Sequence, residues 1–339
     1  MTRDLNILIG NLGKIDNLRA CLRSLYETTG MNVSFKVFVG FNFSGESDAP
    51  LKLQGEFPDV EVLRAQGKLG YCRHINSLLE RARDARYVLF LDDDTLLRPG
   101  AIETMVRFMD EHAEVGVAGC RTVNPDGSYQ KSTALMFDVR TELLNAVRPA
   151  AFWSDGIDET VREWRSVAWL NGHFLMARVA AIETVGPLDE NYYSFQCEAD
   201  WCLRMRRAGW DIAYVPQAEV MHIGGQHSIM TKVKSYENLM RSNINRYYFF
   251  RKHYGPLEFL GLRLALGLGF VLRLSRYAAT WALDRRRRSE AGPKVKAYFH
   301  LMLRAIGARP ERLPAKLRKE NEFTASLGYA PNPMALNQA

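Results

Sequence analysis

Short apolar runs alternate with amphipathic segments along the first 120 residues of the chain. The runs are bounded by polar or glycine-containing turns, and their length is typical of buried strands. The predicted strands cover residues 5–10, 34–41, 61–65, 87–91 and 115–120. The predicted helices cover residues 16–27, 72–84 and 100–112. This alternation indicates βαβ units, so we expect an α/β fold with a parallel sheet.

The pattern changes twice after residue 120. A less regular, tryptophan-rich insert is expected over 137–165, and a helix at 199–208 and a strand at 211–216 follow it. From residue 232 the chain becomes basic and amphipathic. We therefore predict two parts, a sheet-containing domain over 1–230 and a helical C-terminal region over 231–339.

Basic residues are concentrated in the C-terminal region, which has 21 lysines and arginines against 7 acidic residues. The apolar run between Arg263 and Arg273 is too short to span a bilayer. On a helix, Glu258, Arg273 and Arg276 fall within about 60° of one another, which leaves a wide apolar face. We expect this helix to lie in a membrane interface, with Arg285–Arg288 attracting anionic lipid. A helical lid or a homodimer contact is the alternative interpretation.

The composition indicates a globular protein in a reducing compartment. A chain of 339 residues with 47% apolar content can bury a large core. Its five cysteines are scattered and lack CxxC spacing, so neither a disulfide framework nor a zinc site is indicated. The apolar run near the N-terminus is too short for a secretory signal peptide, and we expect a cytoplasmic protein.

Three consecutive aspartates, Asp92, Asp93 and Asp94, follow the predicted strand 87–91. Neighbouring carboxylates repel one another unless a cation, a cationic partner or water separates them. In an extended segment Asp92 and Asp94 face the same side and can converge on one divalent cation, which prefers oxygen ligands. The alternative is an acidic strand end that caps the helix after Pro99.

A second acidic pair, Glu198 and Asp200, opens the predicted helix 199–208 in an aromatic setting. Partial burial there would raise a carboxylate pKa and make the group a better general base. The alternative is an acidic first turn that complements the helix dipole, because the helix ends in basic residues. His222 follows the next strand and is either a third metal ligand or a hydrogen-bonded core histidine.

Four segments follow one another along the chain: LDDD, WLNGHFLMAR, CEADWCLRMRRAGW and VPQAEVMHIGG. In this order and spacing they resemble glycosyltransferase family 2, which has the GT-A fold. More closely, the chain resembles the rhamnosyltransferase-like branch that builds bacterial cell-surface polysaccharides on lipid carriers. The resemblance covers residues 5 to 255. It implies a Rossmann-like, mostly parallel central sheet flanked by helices, with a C-terminal helical extension.

The resemblance implies that a nucleotide-sugar donor binds the N-terminal half. Asp92 and Asp94 are implied to form the DXD motif that holds Mg²⁺ or Mn²⁺, with His222 near the metal or the diphosphate. Glu198 matches the position where the family has its aspartate base, and Asp200 is either a competing base or a support for the helix. The implied donor-binding residues are Asn11, Gly70, Arg73, Asn76, Asp92 and Asp93. The implied acceptor-binding residues are Trp169, Asn171, Gly172 and His173.

The turn after the second strand departs from the family pattern. Where relatives have an aspartate that reads the nucleobase, this chain has VGFNFSGES. Asn42 or Ser44 is the expected substitute. Trp169 is expected to offer an apolar face to the acceptor sugar.

The leading hypothesis is inverting, metal-dependent transfer of a sugar to a polyprenyl-diphosphate-linked acceptor at the inner face of the plasma membrane. By overall likeness the sugar is rhamnose from dTDP-rhamnose. The alternatives are a polyprenyl-phosphate sugar synthase, a family member that uses UDP-galactofuranose or a UDP-hexose, and a non-catalytic nucleotide-sugar-binding protein. Nucleic-acid binding is disfavoured, because the basic residues interleave with Leu, Phe and Trp on an amphipathic helix.

Overall fold

A mixed sheet forms the centre of the molecule. The computed structural model describes residues 3–305 and Gly307, apart from 12–14, 43–46, 66, 68, 149–154, 193 and 225–235. In chain order the strands are β1 (Arg3–Asn11), β2 (Phe35–Phe41), β3 (Glu61–Arg64), β4 (Ala85–Asp92), β5 (Thr95–Leu97), β6 (Val115–Val123), β7 (Tyr129–Gln130), β8 (Thr133–Ala134), β9 (Arg165–Ser166), β10 (Trp169–Leu170), β11 (Phe174–Arg178) and β12 (Asp211–His222).

The main sheet has the strand order β3-β2-β1-β4-β11-β6-β12-β5, with β7 beside β6 and β9 beside β12. Strands β3, β2, β1 and β4 are parallel, as the sequence predicts. Strand β11 enters antiparallel between β4 and β6, and β12 runs parallel to β6. The central strands are nearly continuous buried runs because helices cover both faces of the sheet. The prediction of a mostly parallel α/β sheet is confirmed.

Helices flank the sheet on both sides. In chain order those of the first 230 residues are α1 (Ile15–Thr28), α2 (Ala49–Glu56), α3 (Tyr71–Leu79), α4 (Ala101–Glu111), α5 (Val139–Val147), α6 (Val179–Val185) and α7 (Cys197–Arg207). Helix α1 buries Leu18, Cys21, Leu22 and Leu25, the helical spacing that predicts it. Helix α3 ends at Leu79, which is earlier than predicted.

Helix α5 lies in the insert for which the sequence predicts no regular element. Asp138 caps its start by accepting a hydrogen bond from the backbone N–H of Thr141. The helix is absent from the prediction because its burial is inverted. It buries Thr141, Glu142, Asn145 and Ala146, and it exposes Leu143, Leu144 and Val147.

The C-terminal helices are α8 (Tyr236–His253), α9 (Pro256–Leu283) and α10 (Arg288–Ala305), with a 3₁₀ turn at Arg285–Arg287. Met240, Phe249 and Phe270 belong to the same apolar cluster as Phe90 of β4 and Trp201 of α7. The core therefore continues past residue 230, and the division at that residue stays a prediction. Among the described residues, no helix is both long and apolar enough to cross a bilayer.

Candidate active site

Three predicted metal ligands converge at the carboxyl end of β4. Asp92 is the last residue of that strand, and a turn at 93–94 reverses the chain into β5. Strand β5 pairs antiparallel with the end of β12, which sets His222 opposite Thr95. Ligand atoms of Asp92, Asp94 and His222 all lie within 4.8 Å of one another, and His222 Nε2 is 3.1 Å from Asp94 Oδ1. A tight turn, and not the predicted extended segment, therefore brings the two carboxylates together.

The surroundings of this cluster fit a divalent cation. All three ligands are partly buried, so water can reach them, and Mg²⁺ and Mn²⁺ favour carboxylate oxygens. A Cβ atom on Gly224 would overlap Asp94 Oδ2 and lie 3.2 Å from His222 Nε2. Glycine at 224 therefore leaves room beside the ligands. The helix-capping alternative is wrong, since α4 begins at Ala101, beyond β5, and its N-cap is Gly100.

Asp93 points toward the neighbouring strand β1. Its Oδ2 accepts a hydrogen bond of 2.6 Å from Nδ2 of Asn11, the last residue of that strand. Asn11 is fully buried. The pair joins the ends of two parallel strands at the edge where open α/β sheets bind ligands.

Glu198 lies in the first turn of α7 and faces the loop 171–173. A Cβ atom on Gly172 would lie 2.6 Å from Glu198 Oε1, so the carboxyl group is in close contact with the glycine backbone. Burial raises the pKa of Glu198 above its ordinary range, and the negative charge of Asp92 adds to this effect. A carboxylate with a raised pKa is a better proton acceptor, which agrees with the role that the resemblance implies.

Asp200 faces the opposite way and is fully buried. It contacts His253 Nε2 and Lys252 Nζ at 2.7 Å each and Arg204 Nε at 2.9 Å. Burial alone would raise the pKa of Asp200, but the hydrogen bond from His253 and the charges of Arg204 and Lys252 hold it well below its ordinary value. These contacts favour the supporting role over the competing role as base.

The loop 171–173 connects Glu198 with the metal-ligand cluster. The carbonyl oxygen of His173 accepts a hydrogen bond of 3.0 Å from the backbone N–H of Asp92. The ring of His173 is buried and stacks on the His222 ring at a centroid distance of 4.6 Å. Its Nε2 lies 2.7 Å from Thr122 Oγ1, within hydrogen-bond distance. His173 therefore lies behind a predicted metal ligand, and its side chain is buried against His222 and Thr122 and is not the free acceptor-binding group that was expected.

Asn171 and Trp169 precede this loop and hold it to the protein. Asn171 donates from its backbone N–H to Ser132 and from Nδ2 to the carbonyl oxygen of Lys131. Trp169 is only 4% exposed, stacks on Phe137, and donates from Nε1 to the carbonyl oxygen of Leu135. The expectation that Trp169 offers a free face to a sugar is wrong, because that face is packed in the core.

Two predicted donor-binding asparagines have their amides engaged by backbone. Asn42 accepts from the N–H of Leu69 at 2.7 Å and donates to the same residue's carbonyl at 3.0 Å. Asn76 makes the same pair of bonds with Leu188. Asn42 therefore secures the loop before α3 and is not available to read a nucleobase as expected. Ser44, the other expected substitute, lies outside the described residues.

Gly70 and Arg73, two further predicted donor-binding residues, lie at the start of α3. Gly70 is the N-cap of α3, with an extended backbone. Arg73 contacts Glu190 through Nε at 3.1 Å and its side chain is 11% exposed. The helix start and the guanidinium group are both favourable for an anionic ligand.

Sequence reasoning missed two residues that shape the site. Thr122 bonds the ring of His173, and only the pairing of distant strands brings these two residues together. Gly224 had a local signal, since a glycine two residues after a metal-binding histidine leaves space for the ligand.

A family model described as glycosyltransferase-like family 2 matches residues 3–244. The chain belongs to this family. The family assignment agrees with the ordered motifs and with the geometry at the end of β4. The protein is therefore a glycosyltransferase, and the reaction it carries out is transfer of a sugar.

Named relatives of this glycosyltransferase include rhamnosyltransferases. It is 29% identical over 222 residues to N-acetylglucosaminyl-diphospho-decaprenol L-rhamnosyltransferase of Mycobacterium tuberculosis, which covers 61% of this chain and 71% of the relative. It is 22% identical over 142 residues to rhamnosyltransferase WbbL of Escherichia coli K12, and this match covers 42% of this chain and 54% of the relative. These similarities agree with the rhamnosyltransferase-like branch.

The fold is also found in a solved glycosyltransferase structure. The crystal structure of GalNAc-T7 with UDP, GalNAc and Mn²⁺ superposes with a TM-score of 0.52 at 14% identity. The match covers 65% of this chain and 43% of that chain. The glycosyltransferase described here therefore has the GT-A fold, as the resemblance implies.

Proposed function

We propose that this glycosyltransferase transfers a sugar with inversion from a nucleotide-sugar donor to a polyprenyl-diphosphate-linked acceptor. The observation that carries the proposal is the cluster of Asp92, Asp94 and His222, which the loop 171–173 joins to Glu198: His173 contacts Asp92 and His222, and Gly172 contacts Glu198. The mycobacterial relative is named for a lipid-linked acceptor and for rhamnose. We therefore propose dTDP-rhamnose as the first donor to test.

In this proposal Glu198 accepts the proton of an acceptor hydroxyl. The hydroxyl oxygen forms a bond to the anomeric carbon while the bond from that carbon to the diphosphate oxygen breaks, and the nucleoside diphosphate leaves. Asp92, Asp94 and His222 would hold Mg²⁺ or Mn²⁺, which supplies positive charge to the departing diphosphate. In this proposal Asn11, Asp93, Gly70 and Arg73 would border the donor.

The remaining predicted residues have supporting roles in this proposal. Gly172 leaves space for the Glu198 carboxyl group, and Asn171 secures the loop that carries it. His173 stacks on His222 and orients its ring. Asp200 anchors α7 to α8.

The test is a donor panel in the presence of Mg²⁺ or Mn²⁺ with a short-chain polyprenyl-diphosphate N-acetylglucosamine acceptor. Release of nucleoside diphosphate and formation of a glycosylated lipid are measured with dTDP-rhamnose, UDP-galactofuranose and UDP-hexoses. We expect transfer from dTDP-rhamnose. Transfer only to polyprenyl phosphate would indicate a sugar synthase, and donor binding without any transfer would contradict the enzymatic proposal.

Asp94→Ala tests the metal site directly. We expect about a thousandfold loss of transfer, because several kcal/mol of charge stabilisation disappear, and weaker Mn²⁺ binding by calorimetry. Asp16→Ala is the control, since that carboxylate is 93% exposed on α1. Full transfer and unchanged Mn²⁺ affinity in Asp94→Ala would remove the metal assignment.

We also propose that α9 binds the inner face of an anionic membrane. Its exposed large apolar residues are Leu257, Leu260, Leu264, Leu268, Val271 and Leu272, and Glu258 and Arg276 are its exposed charged residues. Arg263 and Arg273 point the other way, whereas Arg276 is exposed. Arg263 donates to the carbonyl oxygens of Arg304 and Ala305, and Arg273 donates to that of Asn145. The exposed residues of α9 are therefore mainly hydrophobic, which is the arrangement expected of an interfacial helix.

Charge and aromatic residues at the end of α9 support lipid as the partner. Arg285–Arg287 are exposed, and Arg288 lies over the ring of Trp281, which is half exposed. Tryptophan and arginine together are typical of the headgroup region. A second copy of the chain would bring the same positive charges, whereas anionic lipid neutralises them. Helix α5, which packs against α9, adds further exposed apolar residues.

Membrane binding is tested by flotation with vesicles that contain anionic lipid. Replacing Leu260, Leu264 and Leu268 together by serine should lower vesicle binding more than tenfold, because each leucine contributes on the order of 1 kcal/mol of burial. Leu51→Ser is the control, since Leu51 is 74% exposed on α2. Unchanged vesicle binding, or loss of a dimer in sedimentation instead, would contradict the lipid proposal.

A further inference from the structure

Two non-glycine residues immediately before α7 have a left-handed backbone. Phe195 has φ 65° and Gln196 has φ 58°, and every other positive φ among the described residues belongs to glycine. This conformation is unfavourable for residues with a Cβ atom, and two such residues in succession persist only where the surroundings hold them. The next residues are Cys197 and Glu198.

Helix α8 supplies the side chains that hold this turn. Asn245 Nδ2 donates to the carbonyl oxygens of Ser194 and Phe195, the latter at 3.1 Å. Ser242, one turn earlier on α8, accepts a hydrogen bond of 3.1 Å from Gln196 Nε2. Ser242 and Asn245 are both buried, so water does not readily replace the hydrogen bonds that they make with the turn.

The turn controls where α7 begins. The carbonyl oxygen of Gln196 accepts the first helical hydrogen bond, from the N–H of Asp200. Glu198 lies between them and has close contact with Gly172 on one side. A change of backbone at 195–196 therefore rotates the first turn of α7 and moves the carboxyl group of Glu198 along the loop 171–173.

We propose that Asn245, assisted by Ser242, is a positioning residue for Glu198. Its amide keeps the turn at 194–196 in the strained conformation that directs the carboxyl group toward the reacting centre. This inference rests on the proposed role of Glu198 as base. It gives the C-terminal region a part in catalysis besides membrane binding, because α8 and α7 meet both at this turn and at Asp200.

The test compares two asparagines of the same helix. Asn245→Ala and Asn245→Asp both remove the donating amide, and Asp keeps the shape of the side chain. Asn243→Ala is the matched control, because Asn243 is equally buried but its amide donates within α8, to the carbonyl of Leu239. We expect kcat to fall about 10- to 100-fold in both Asn245 variants, with the donor KM within about twofold of wild type. Asn243→Ala should keep its kcat.

A milder variant covers the case in which Asn245→Ala does not fold. Ser242→Ala removes only the bond to Gln196 and should lower kcat about threefold, again without a change in donor KM. Equal kcat losses in Asn245→Asp and Asn243→Ala, or an unchanged kcat in the Asn245 and Ser242 variants, would overturn the proposal.

Strain gives a second readout. Glycine adopts a left-handed backbone without cost, so Asn245→Ala should lower kcat less in a Gln196→Gly background than in wild type. Additive losses would contradict the proposed mechanism.

Glu198→Gln distinguishes a failure of the base assignment from a failure of the positioning role of Asn245. An active Glu198→Gln enzyme removes the base assignment, whereas an inactive one combined with a normal Asn245→Asp enzyme removes only the positioning role.

Discussion

The two faces of α7 have carboxylates of opposite character. Glu198 faces the sheet and the loop 171–173, and burial raises its pKa. Asp200, two residues later, faces α8, forms ion pairs with Lys252 and Arg204 and has a hydrogen bond with His253. Both are acidic residues in the first turn of one helix, and only their neighbours distinguish them.

This difference shows how two acidic residues in one helical turn can have different roles. A carboxylate without a cationic partner in a buried setting is a proton acceptor, whereas a carboxylate with several cations is an anchor. Because Asp200 anchors α7 to α8, the helix start that carries Glu198 is held at a defined distance from Gly172. The supporting residue and the reacting residue are therefore parts of one arrangement.

The sharpest test of this comparison is Glu198→Gln. Amide replacement keeps the shape but removes the proton acceptor, and we expect kcat to fall by about 10²- to 10⁴-fold, the range typical of general bases. Thermal stability should stay equal or rise slightly, because an ionised buried carboxylate is removed. Unfolding temperature and kcat are measured on the same preparation. A normal kcat would end the distinction between the two faces.

Asp200→Asn should give the opposite result. Arg204 and Lys252 lose the buried negative charge that Asp200 supplies, and the free energy of unfolding should fall by about 3–5 kcal/mol. Denaturant unfolding at neutral pH measures this loss. Any fall in kcat should be smaller than that of Glu198→Gln at temperatures where the variant is folded. A stable but inactive Asp200→Asn enzyme would instead make Asp200 the base.

The two faces should also separate on acidification. Glu198 must be ionised to accept a proton, so kcat should fall about tenfold per pH unit below its pKa. Because burial raises this pKa, the inflection of the pH–rate profile should lie above the ordinary value of 4.5. Because the pKa of Asp200 is lower in the folded protein, this carboxylate stabilises the fold at pH values above its ordinary pKa of 3.8. This stabilisation is lost as the pH falls below that value. Activity should therefore be lost before the fold, as parallel pH–rate and circular dichroism profiles would show. Coincident profiles would contradict this separation.

The smallest expected effect concerns Trp169, which faces the core and not the site. Trp169→Phe removes the hydrogen bond to Leu135 and should cost about 1 kcal/mol of stability. The acceptor KM should not change. A raised acceptor KM with unchanged stability would restore the sugar-binding role that the sequence suggested.

The sequence alone determined much of the architecture and the location of the chemistry. The apolar runs predicted β1, β2 and β4, and the spacing of Leu18, Cys21, Leu22 and Leu25 predicted the buried face of α1. The ordered motifs indicated the family. These features are local, since hydrophobic period and short motifs depend on residues close together along the chain.

Only the tertiary structure decided which polar residues face the site. Asn42 and Asn76 look like ligand-binding residues until their amides are seen to bond the backbone of Leu69 and Leu188. The sequence pattern did not predict helix α5 because its buried side is mostly polar and packs against the distant helix α9. Glu198 and Asp200 differ through contacts with residues far away along the chain, such as Gly172 and His253. Such contacts depend on which elements pack side by side, and no local pattern records them.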